Sequence, residues 1–175
     1  MAHTKHQTVR ARYDFCCGYC GISETDAGGE LTVDHFNPMS AGGGDSDDNL
    51  VYACIRCNLY KGALTSVEGT QAQVLRLLHP LRDNINEHLH EDEATGRLES
   101  LSPLGAFHIN ALQLNRDALV AHRLRHRVNL LQEARYAHIL AENTSLRARL
   151  TRYKILSQSS EQQRRRSRLP KNREG

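Results

Sequence analysis

Four cysteines arranged as two Cys-x2-Cys pairs constrain the fold of this chain more than any other feature. The pairs are Cys17 with Cys20 and Cys54 with Cys57. Paired motifs of this kind hold tetrahedral zinc through four thiolates, and such zinc is structural because no coordination position stays open. We therefore predict a structural Zn²⁺ on these four residues. Cys16 would break the spacing, and we expect it to be a spare thiol.

The segment between the two pairs is longer than in simple zinc ribbons. It has 33 residues, whereas roughly 15–20 are usual. Residues 30–35 alternate and are rich in β-forming side chains, and residues 50–53 form a second short apolar run, so two strands are predicted. A helix is expected from Cys57 to Leu64. The zinc would then tie together the ends of a strand, loop, strand and helix, which is a ββα unit.

Three polar residues in this unit are candidates for a reaction centre. Asp34 and His35 end the first predicted strand, and Asn58 lies at the start of the predicted helix. Imidazole titrates near neutral pH, so His35 suits a general base. A carboxylate and an amide oxygen are hard ligands that suit Mg²⁺, so Asp34 and Asn58 fit a metal site. An Asp-His pair alone is more often a turn or surface feature, and its neighbours are what give this one meaning.

The motifs together resemble the zinc-stapled subgroup of the HNH nuclease family. The resemblance covers roughly residues 9–62, and it is specific because several motifs occur in the correct order. A weaker likeness, to the C-terminal extension of stand-alone bacterial and phage HNH proteins, continues through residues 78–115. The residues that carry the main resemblance are Cys17-x2-Cys20, Val33-Asp34-His35, Pro38, Gly42-Gly43, Asn49-Leu50-Val51, Cys54-x2-Cys57-Asn58 and Lys61-Gly62.

The resemblance implies a ββα-metal fold in which one divalent metal assists cleavage of a phosphodiester. It assigns His35 as general base and Asp34 with Asn58 as metal ligands. Asn49 would close the loop and help to orient His35. The third namesake position of the family holds Asn58 here rather than histidine. Because an amide is a weaker ligand than imidazole for soft metals, we expect Mg²⁺ or Mn²⁺ at this site rather than Zn²⁺ or Ni²⁺.

Charge is distributed unevenly along the chain. Residues 1–115 carry 8 Lys and Arg against 15 Asp and Glu, and residues 116–175 carry 15 against 5. A basic C-terminal region is one way to bring a polyanion to a metal site, and a well-solvated charged helix is the alternative. We predict nucleic-acid contacts at Lys61 and at Arg164, Arg165 and Arg166. Lys61 has an equally weighted alternative, which is to stabilise the fold. The acidic loop of residues 45–48 is expected to be solvated.

The predicted fold class is α+β. Residues 1–64 form the zinc-stapled ββα-metal core, residues 65–115 an α/β extension that packs on it, residues 116–157 a long basic helix and residues 158–175 a disordered basic tail. Within the extension we expect a short helix over residues 71–78, a hairpin over 85–101 and a helix that starts at Ser102-Pro103.

The predicted function is a metal-dependent endonuclease that hydrolyses DNA, with double-stranded DNA as the expected substrate. A zinc-dependent nucleic-acid-binding module without catalysis and an RNA-directed nuclease are the alternatives that stay open. The long helix also offers a surface for a homodimer. Residues 1–15 hold no apolar leader segment, and no apolar run reaches the roughly 20 residues of a membrane span, so we expect no membrane partner and a cytoplasmic location in a bacterial or phage-infected cell.

Overall fold

The computed structural model describes residues 4–69 and 74–167, apart from the side chains of Gln163 and of residues 165–167. The chain begins with helix α1 (His6–Arg12) and a single turn, α2 (Glu24–Ala27). Strands β1 (Thr32–His35) and β2 (Leu50–Ala53) pair antiparallel, and helix α3 (Ile55–Lys61) follows at once. The predicted ββα unit is therefore confirmed.

The β1–β2 register fixes where the candidate residues lie. Asp34 pairs with Val51 and His35 with Leu50. Because side chains alternate along a strand, Asp34 shares a face with Thr32, and His35 points the other way. All four residues of β2 are buried, so this strand anchors the hairpin while β1 carries the polar groups.

The extension consists of two further hairpins and a helix. Strands β3 (Ser66–Glu68) and β4 (Val74–Arg76) pair antiparallel, as do β5 (Leu89–Glu91) and β6 (Leu98–Ser100). A 3₁₀ turn (Ile85–Glu87) precedes β5, and another (Met39–Ala41) lies in the loop between β1 and β2. Helix α4 (Pro103–Ala111) is capped by Ser102, whose hydroxyl accepts a hydrogen bond from Gly105 N at 3.0 Å. The predicted hairpin and helix start are confirmed.

The helix predicted over residues 71–78 is wrong for the residues that the structure describes there. Residues 74–76 are strand β4, and residues 71–73 lie outside the described part of the chain. The backbone of β4 is paired with β3, so a neighbouring strand outweighs the local apolar spacing. The two leucines that follow, Leu77 and Leu78, are fully buried.

One apolar cluster joins the ββα unit to the extension. It brings together buried side chains from α1, β2, the segment after β4 and the segment after α4, including Val9, Leu50, Tyr52, Leu77, Leu78, Leu112 and Leu114. A buried hydrogen bond also crosses the extension, since Leu78 N donates to His108 Nδ1 at 3.1 Å. The site described below therefore rests on a continuous core.

Helix α5 (Asp117–Ser167) is continuous, and its residues are divided between two compact units. The first unit ends at His126, and the second begins at Arg127. In the second unit, the described side chains from Val128 onward are exposed. The helix continues ten residues beyond the predicted end at 157, so residues 158–167 are helical rather than disordered. Residues 168–175 lie outside the described part. No helix within residues 4–69 and 74–167 has the length and apolar character needed to cross a membrane.

Candidate active site and zinc centre

The four predicted zinc ligands come together in the structure. The sulfur atoms of Cys17, Cys20, Cys54 and Cys57 all lie within 4.8 Å of one another. With Zn–S bonds of about 2.3 Å, a tetrahedral site has S–S edges of about 3.8 Å, and the Cys20–Cys54 sulfur distance is 3.8 Å. The cluster therefore fits a structural zinc ion. Cys16 is not part of it.

Local backbone structure positions these sulfurs. Cys54 is the N-cap of α3, and its sulfur accepts a hydrogen bond from Cys57 N at 3.5 Å. The first pair lies in a turn closed by Cys17 N donating to Ile22 O at 2.9 Å. A helix start and a tight turn thus face each other, and each contributes two thiols.

An arginine from beyond the ββα unit contacts this cluster. Arg116 Nη2 lies 3.7 Å from Cys57 Sγ, and its guanidinium stacks over the Tyr60 ring at 5.6 Å. Four thiolates around one Zn²⁺ carry an excess of negative charge, so a nearby cation offsets part of it. Arg116 could not be recognised from the sequence, because 58 residues separate it from Cys57.

Asp34 is buried and already has two partners. Tyr19 donates its hydroxyl hydrogen to Asp34 Oδ2 at 2.6 Å. Lys61 Nζ lies 3.1 Å from Oδ2 and 3.3 Å from Oδ1. Burial raises the pKa of Asp34, whereas the hydrogen bond from Tyr19 and the charge of Lys61 act in the opposite direction. The carboxylate is held in one orientation.

Lys61 serves the structure rather than a nucleic acid. Its side chain is buried, and Nζ also donates to the carbonyl oxygen of His35 at 2.7 Å. A buried ammonium cannot reach a phosphate, so the prediction of a nucleic-acid contact at Lys61 gives way to the alternative, stabilisation of the fold. The lysine fixes both the Asp34 carboxylate and the backbone of the next residue.

Asn58 projects toward the same strand. Its amide Nδ2 donates to Thr32 Oγ1 at 3.2 Å. Thr32 and Asp34 share one face of β1, and α3 presents Asn58 and Lys61 to that face, one turn apart. The structure thus gathers the predicted ligands Asp34 and Asn58 on one side of the strand.

The imidazole of His35 contacts the carboxylate of Asp45, a residue of the acidic loop. Its Nε2 lies 2.7 Å from Asp45 Oδ1, with the ring N–H donating to the carboxylate. A proton on Nε2 leaves Nδ1 as the basic nitrogen of the ring. The Asp45 side chain is 58% exposed, whereas that of His35 is 18% exposed. The pair is therefore partly accessible to solvent.

Asn49 closes the loop that carries Asp45. Its Oδ1 accepts a hydrogen bond from Asn37 N at 2.7 Å, and its Nδ2 donates to Asn37 O at 3.0 Å and Gly44 O at 2.8 Å. Gly43 packs so closely on Asn37 O that any Cβ would collide with it. One side chain thus joins the two ends of the loop, and the glycine allows the close approach.

The rest of the acidic loop is exposed to solvent, as predicted, and its carboxylates are also paired. Asp47 accepts a hydrogen bond from Lys5 Nζ at 2.7 Å, and this bond lowers the pKa of the carboxyl group. Asp48 accepts one from Arg82 at 2.8 Å, and its carbonyl oxygen lies 2.8 Å from His79 Nε2. These contacts join residues distant in sequence, which is why local sequence could not predict them.

A cleft of about 550 Å³ borders this loop. Its walls include Asn37, Ser46 and Asn49 on the loop side and Arg76 and Arg82 on the side of the extension. Among the predicted tail residues, the Arg164 side chain is exposed. The side chains of Arg165 and Arg166 are outside the described part of the structure.

Comparison with known proteins finds one similarity, which covers this site. Residues 17–64 match the model of the HNH endonuclease family. No curated protein and no solved structure matches the chain significantly. The matched range contains the four clustered cysteines, the β1–β2 hairpin and α3. Residues 17–64 are therefore similar to HNH endonuclease domains.

Proposed function

We propose that this protein is an endonuclease that hydrolyses DNA phosphodiester bonds, with His35 as general base and Asp34 and Asn58 as ligands of one Mg²⁺ or Mn²⁺ ion. The observation that carries the proposal is the His35–Asp45 pair, in which a carboxylate holds one ring nitrogen at 2.7 Å. This arrangement orients an imidazole for proton transfer at the surface of an HNH domain.

The residues near Asp34 suit a small hard cation. Asp34 and Asn58 supply a carboxylate and an amide oxygen on one side of β1, and Mg²⁺ needs few protein ligands because it keeps several waters. Asp34 Oδ1 has the long 3.3 Å contact with Lys61 and keeps a lone pair for another partner. When bound, the cation would supply positive charge to the phosphate and to the leaving 3′ oxygen.

The side chains of the site perform the proton transfer. His35 Nδ1 accepts a proton from the attacking water, which forms a bond to phosphorus as the bond to the 3′ oxygen breaks, and the leaving 3′ oxygen takes a proton from a solvent water. Asp45 stabilises the imidazolium that results, because the carboxylate already accepts from Nε2. Lys61 and Tyr19 keep the Asp34 carboxylate fixed and charged. The products would carry 5′-phosphate and 3′-hydroxyl ends, and one site would nick one strand.

DNA binding would come from the basic part of the chain and from the cleft. Residues 116–175 have ten more basic than acidic residues, with Arg164, Arg165 and Arg166 near their end. Arg76 and Arg82 line the cleft beside the His35 loop. Phosphate contacts of this kind weaken steeply as salt rises. We therefore expect affinity without strong sequence preference.

One observation favours a second candidate function. Asp34 is already paired with Lys61, so its carboxylate attracts a cation less strongly than an unpaired carboxylate would. A zinc-dependent nucleic-acid-binding module without catalysis would show this same feature. An RNA-directed nuclease is the third option, and it differs from the first only in its substrate.

Cleavage of supercoiled plasmid tests the proposal. The protein is incubated with Mg²⁺, Mn²⁺ or no added divalent metal, beside His35→Ala and the control His90→Ala, whose side chain is exposed on β5. We expect metal-dependent nicking by the wild type and by the control, and loss of at least about 10²-fold in His35→Ala. Zinc content and DNA affinity should be equal in all three proteins.

Two results would support the alternative functions. Binding of DNA by a zinc-loaded but inert wild type would support the non-catalytic module. Cleavage of RNA, but not of DNA, in a parallel digestion would support the RNA-directed nuclease. Zinc must be measured after each metal treatment, because loss of zinc from the four-cysteine site would mimic loss of the catalytic metal.

A further inference from the structure

The second unit carries a stripe of exposed apolar side chains on helix α5. Tyr136, Ile139, Leu146, Leu150 and Tyr153 are between 42% and 73% exposed. With Asn143 between Ile139 and Leu146, the positions follow alternating steps of three and four residues. This is the a/d pattern of a coiled-coil seam, in which a helix buries one side against another helix.

The seam has a definite start. Tyr136, Asn143 and Leu150 occupy a positions, and Ile139, Leu146 and Tyr153 occupy d positions. The apolar residues upstream, such as Val128 and Leu131, follow a phase shifted by one residue, which places them on a different side of the helix. Arg135 and His138 interrupt that upstream stripe but lie outside the seam.

The helix surface also has the shape that such a seam requires. A hollow of about 360 Å³ is lined by Leu146, Arg149, Leu150 and Tyr153. These residues stand at positions i, i+3, i+4 and i+7. Four residues at this spacing form the hole that receives one side chain of a facing helix in knobs-into-holes packing.

We propose that residues 136–153 pair with the same residues of a second copy as a parallel, in-register, two-stranded coiled coil. In this arrangement a positions face a positions, so Leu150 of each copy enters the hollow of the other. The same patch serves both copies, as a two-fold interface requires. The proposal depends only on the second unit and is independent of nuclease activity.

Asn143 specifies the register and the number of strands. A single Asn at an a position is satisfied by the same Asn of a second helix only when the two helices are parallel and in register. Such residues select two-stranded coiled coils at some cost in stability. Asn143 would therefore contribute to the specificity of the seam, although it lowers the stability of the dimer.

One pair of flanking charges favours the parallel orientation. Glu142 is at a g position and Arg147 at the following e position, so they meet across a parallel dimer as opposite charges. One heptad later, Arg149 and Lys154 meet as like charges and oppose association. The seam spans 18 residues, about 27 Å of helix. Because the seam is short and one of its two charge pairs is repulsive, we expect a weak dimer.

Sedimentation equilibrium of the full chain tests the interface. Each chain has a mass of 19.7 kDa, and the weight-average mass should rise toward twice that value as the protein approaches about 1 mM, where a Kd of about 1 mM gives substantial dimer. Leu150→Lys should remain monomeric throughout. Ile155→Lys is the matched control, because Ile155 is also 60% exposed but lies outside the seam. It should dimerise as the wild type does.

Three outcomes would overturn the proposal. They are a monomeric wild type at the highest concentration, a limiting mass above that of a dimer, and equal loss of association in the two lysine variants. Helix content and zinc content should be unchanged in both variants, since both residues are exposed in the single chain.

A charge-exchange experiment tests the orientation. Glu142→Arg and Arg147→Glu should each weaken self-association at low salt, because each creates two repulsive pairs. An equimolar mixture should associate at least as well as the wild type. In a parallel heterodimer the introduced arginine of one variant faces the introduced glutamate of the other, and the unchanged Arg147 faces the unchanged Glu142. A mixture no better than its components would exclude the parallel register.

Discussion

The ammonium nitrogen of Lys61 lies 3.1 Å from Oδ2 of Asp34, and the two side chains are 0% and 8% exposed. The pair joins α3, which carries Asn58, to β1, which carries His35. Because both charges are removed from water, each depends on the other for its compensation. The proposed metal ligand is therefore also part of the structural core.

Replacing Lys61 with Met should destabilise the protein strongly. The change leaves the Asp34 carboxylate buried without its cation, which typically costs about 3–5 kcal/mol in the free energy of unfolding. The double variant Asp34→Asn with Lys61→Met should recover much of this loss. Urea unfolding followed by circular dichroism measures both. The control is Lys5→Met, whose exposed pair with Asp47 should contribute about 1 kcal/mol or less. Equal effects at the two lysines would contradict the interpretation.

Removing the partner of His35 should slow cleavage without unfolding the domain. In Asp45→Ala the imidazole loses the hydrogen bond that orients it, and we expect the nicking rate at saturating DNA to fall by about 10- to 100-fold. The concentration of DNA needed for half-maximal rate should change little. Asp92→Ala, in the turn between β5 and β6, is the control. An Asp45→Ala enzyme with the wild-type rate would show that the 2.7 Å contact has no catalytic role.

Adjacent cysteines provide a direct test of the zinc site. Cys17→Ser removes one of the four clustered sulfurs, and it should abolish stoichiometric zinc and destabilise residues 17–64, because the metal ties both ends of this segment. Cys16→Ser should retain one zinc per chain. Elemental analysis of the purified variants gives the answer. Retention of full zinc in Cys17→Ser, or its loss in Cys16→Ser, would require a different ligand set.

Arg116 should slow the release of zinc. Arg116→Gln removes the cation 3.7 Å from Cys57 Sγ, so transfer of zinc to a chromogenic chelator should accelerate by about 10- to 100-fold. Arg116→Lys should give an intermediate rate because it keeps the charge but not the planar group. Arg125→Gln, at an exposed position of α5, should release zinc as the wild type does. Identical rates in all variants would assign Arg116 to packing alone.

Because His108 is buried, we expect the free energy of unfolding to fall in mild acid. Burial lowers its pKa to about 4, from an ordinary value of 6.5. As pH falls below about 6.5 the unfolded chain binds a proton that the folded protein does not, so this contribution is complete above that value and is lost toward pH 4. We expect a loss of about 1.4 kcal/mol at about pH 5.5.

The control variants isolate this effect. His108→Gln should be less stable at neutral pH but show a flatter pH dependence, and exposed His90→Gln should keep the wild-type slope. Burial also lowers the pKa of His79, so a smaller slope of the same sign should persist in His108→Gln. Unfolding is measured with excess zinc at each pH, so that metal loss does not contribute. An unchanged slope in His108→Gln would exclude the assignment.

Elements whose causes are local could be predicted from the amino-acid sequence. Two Cys-x2-Cys pairs predicted the zinc cluster, alternating β-formers predicted β1 and β2, and Ser102-Pro103 predicted the start of α4. The HNH motifs also placed Asp34, His35, Asn49 and Asn58 in one unit. These inferences succeeded because spacing of a few residues fixes metal geometry, strand alternation and helix capping.

The partner of each polar group could not be predicted, because it depends on how distant segments pack together. Lys61 is buried against Asp34, Asp45 binds His35, and Arg116 reaches the zinc cluster from a segment far along the chain. Residues 74–76 became a strand because residues 66–68 pair with them. Each of these outcomes depends on contacts between distant segments, and the free energy of burying and pairing a charge is set by that packed environment rather than by neighbours in sequence.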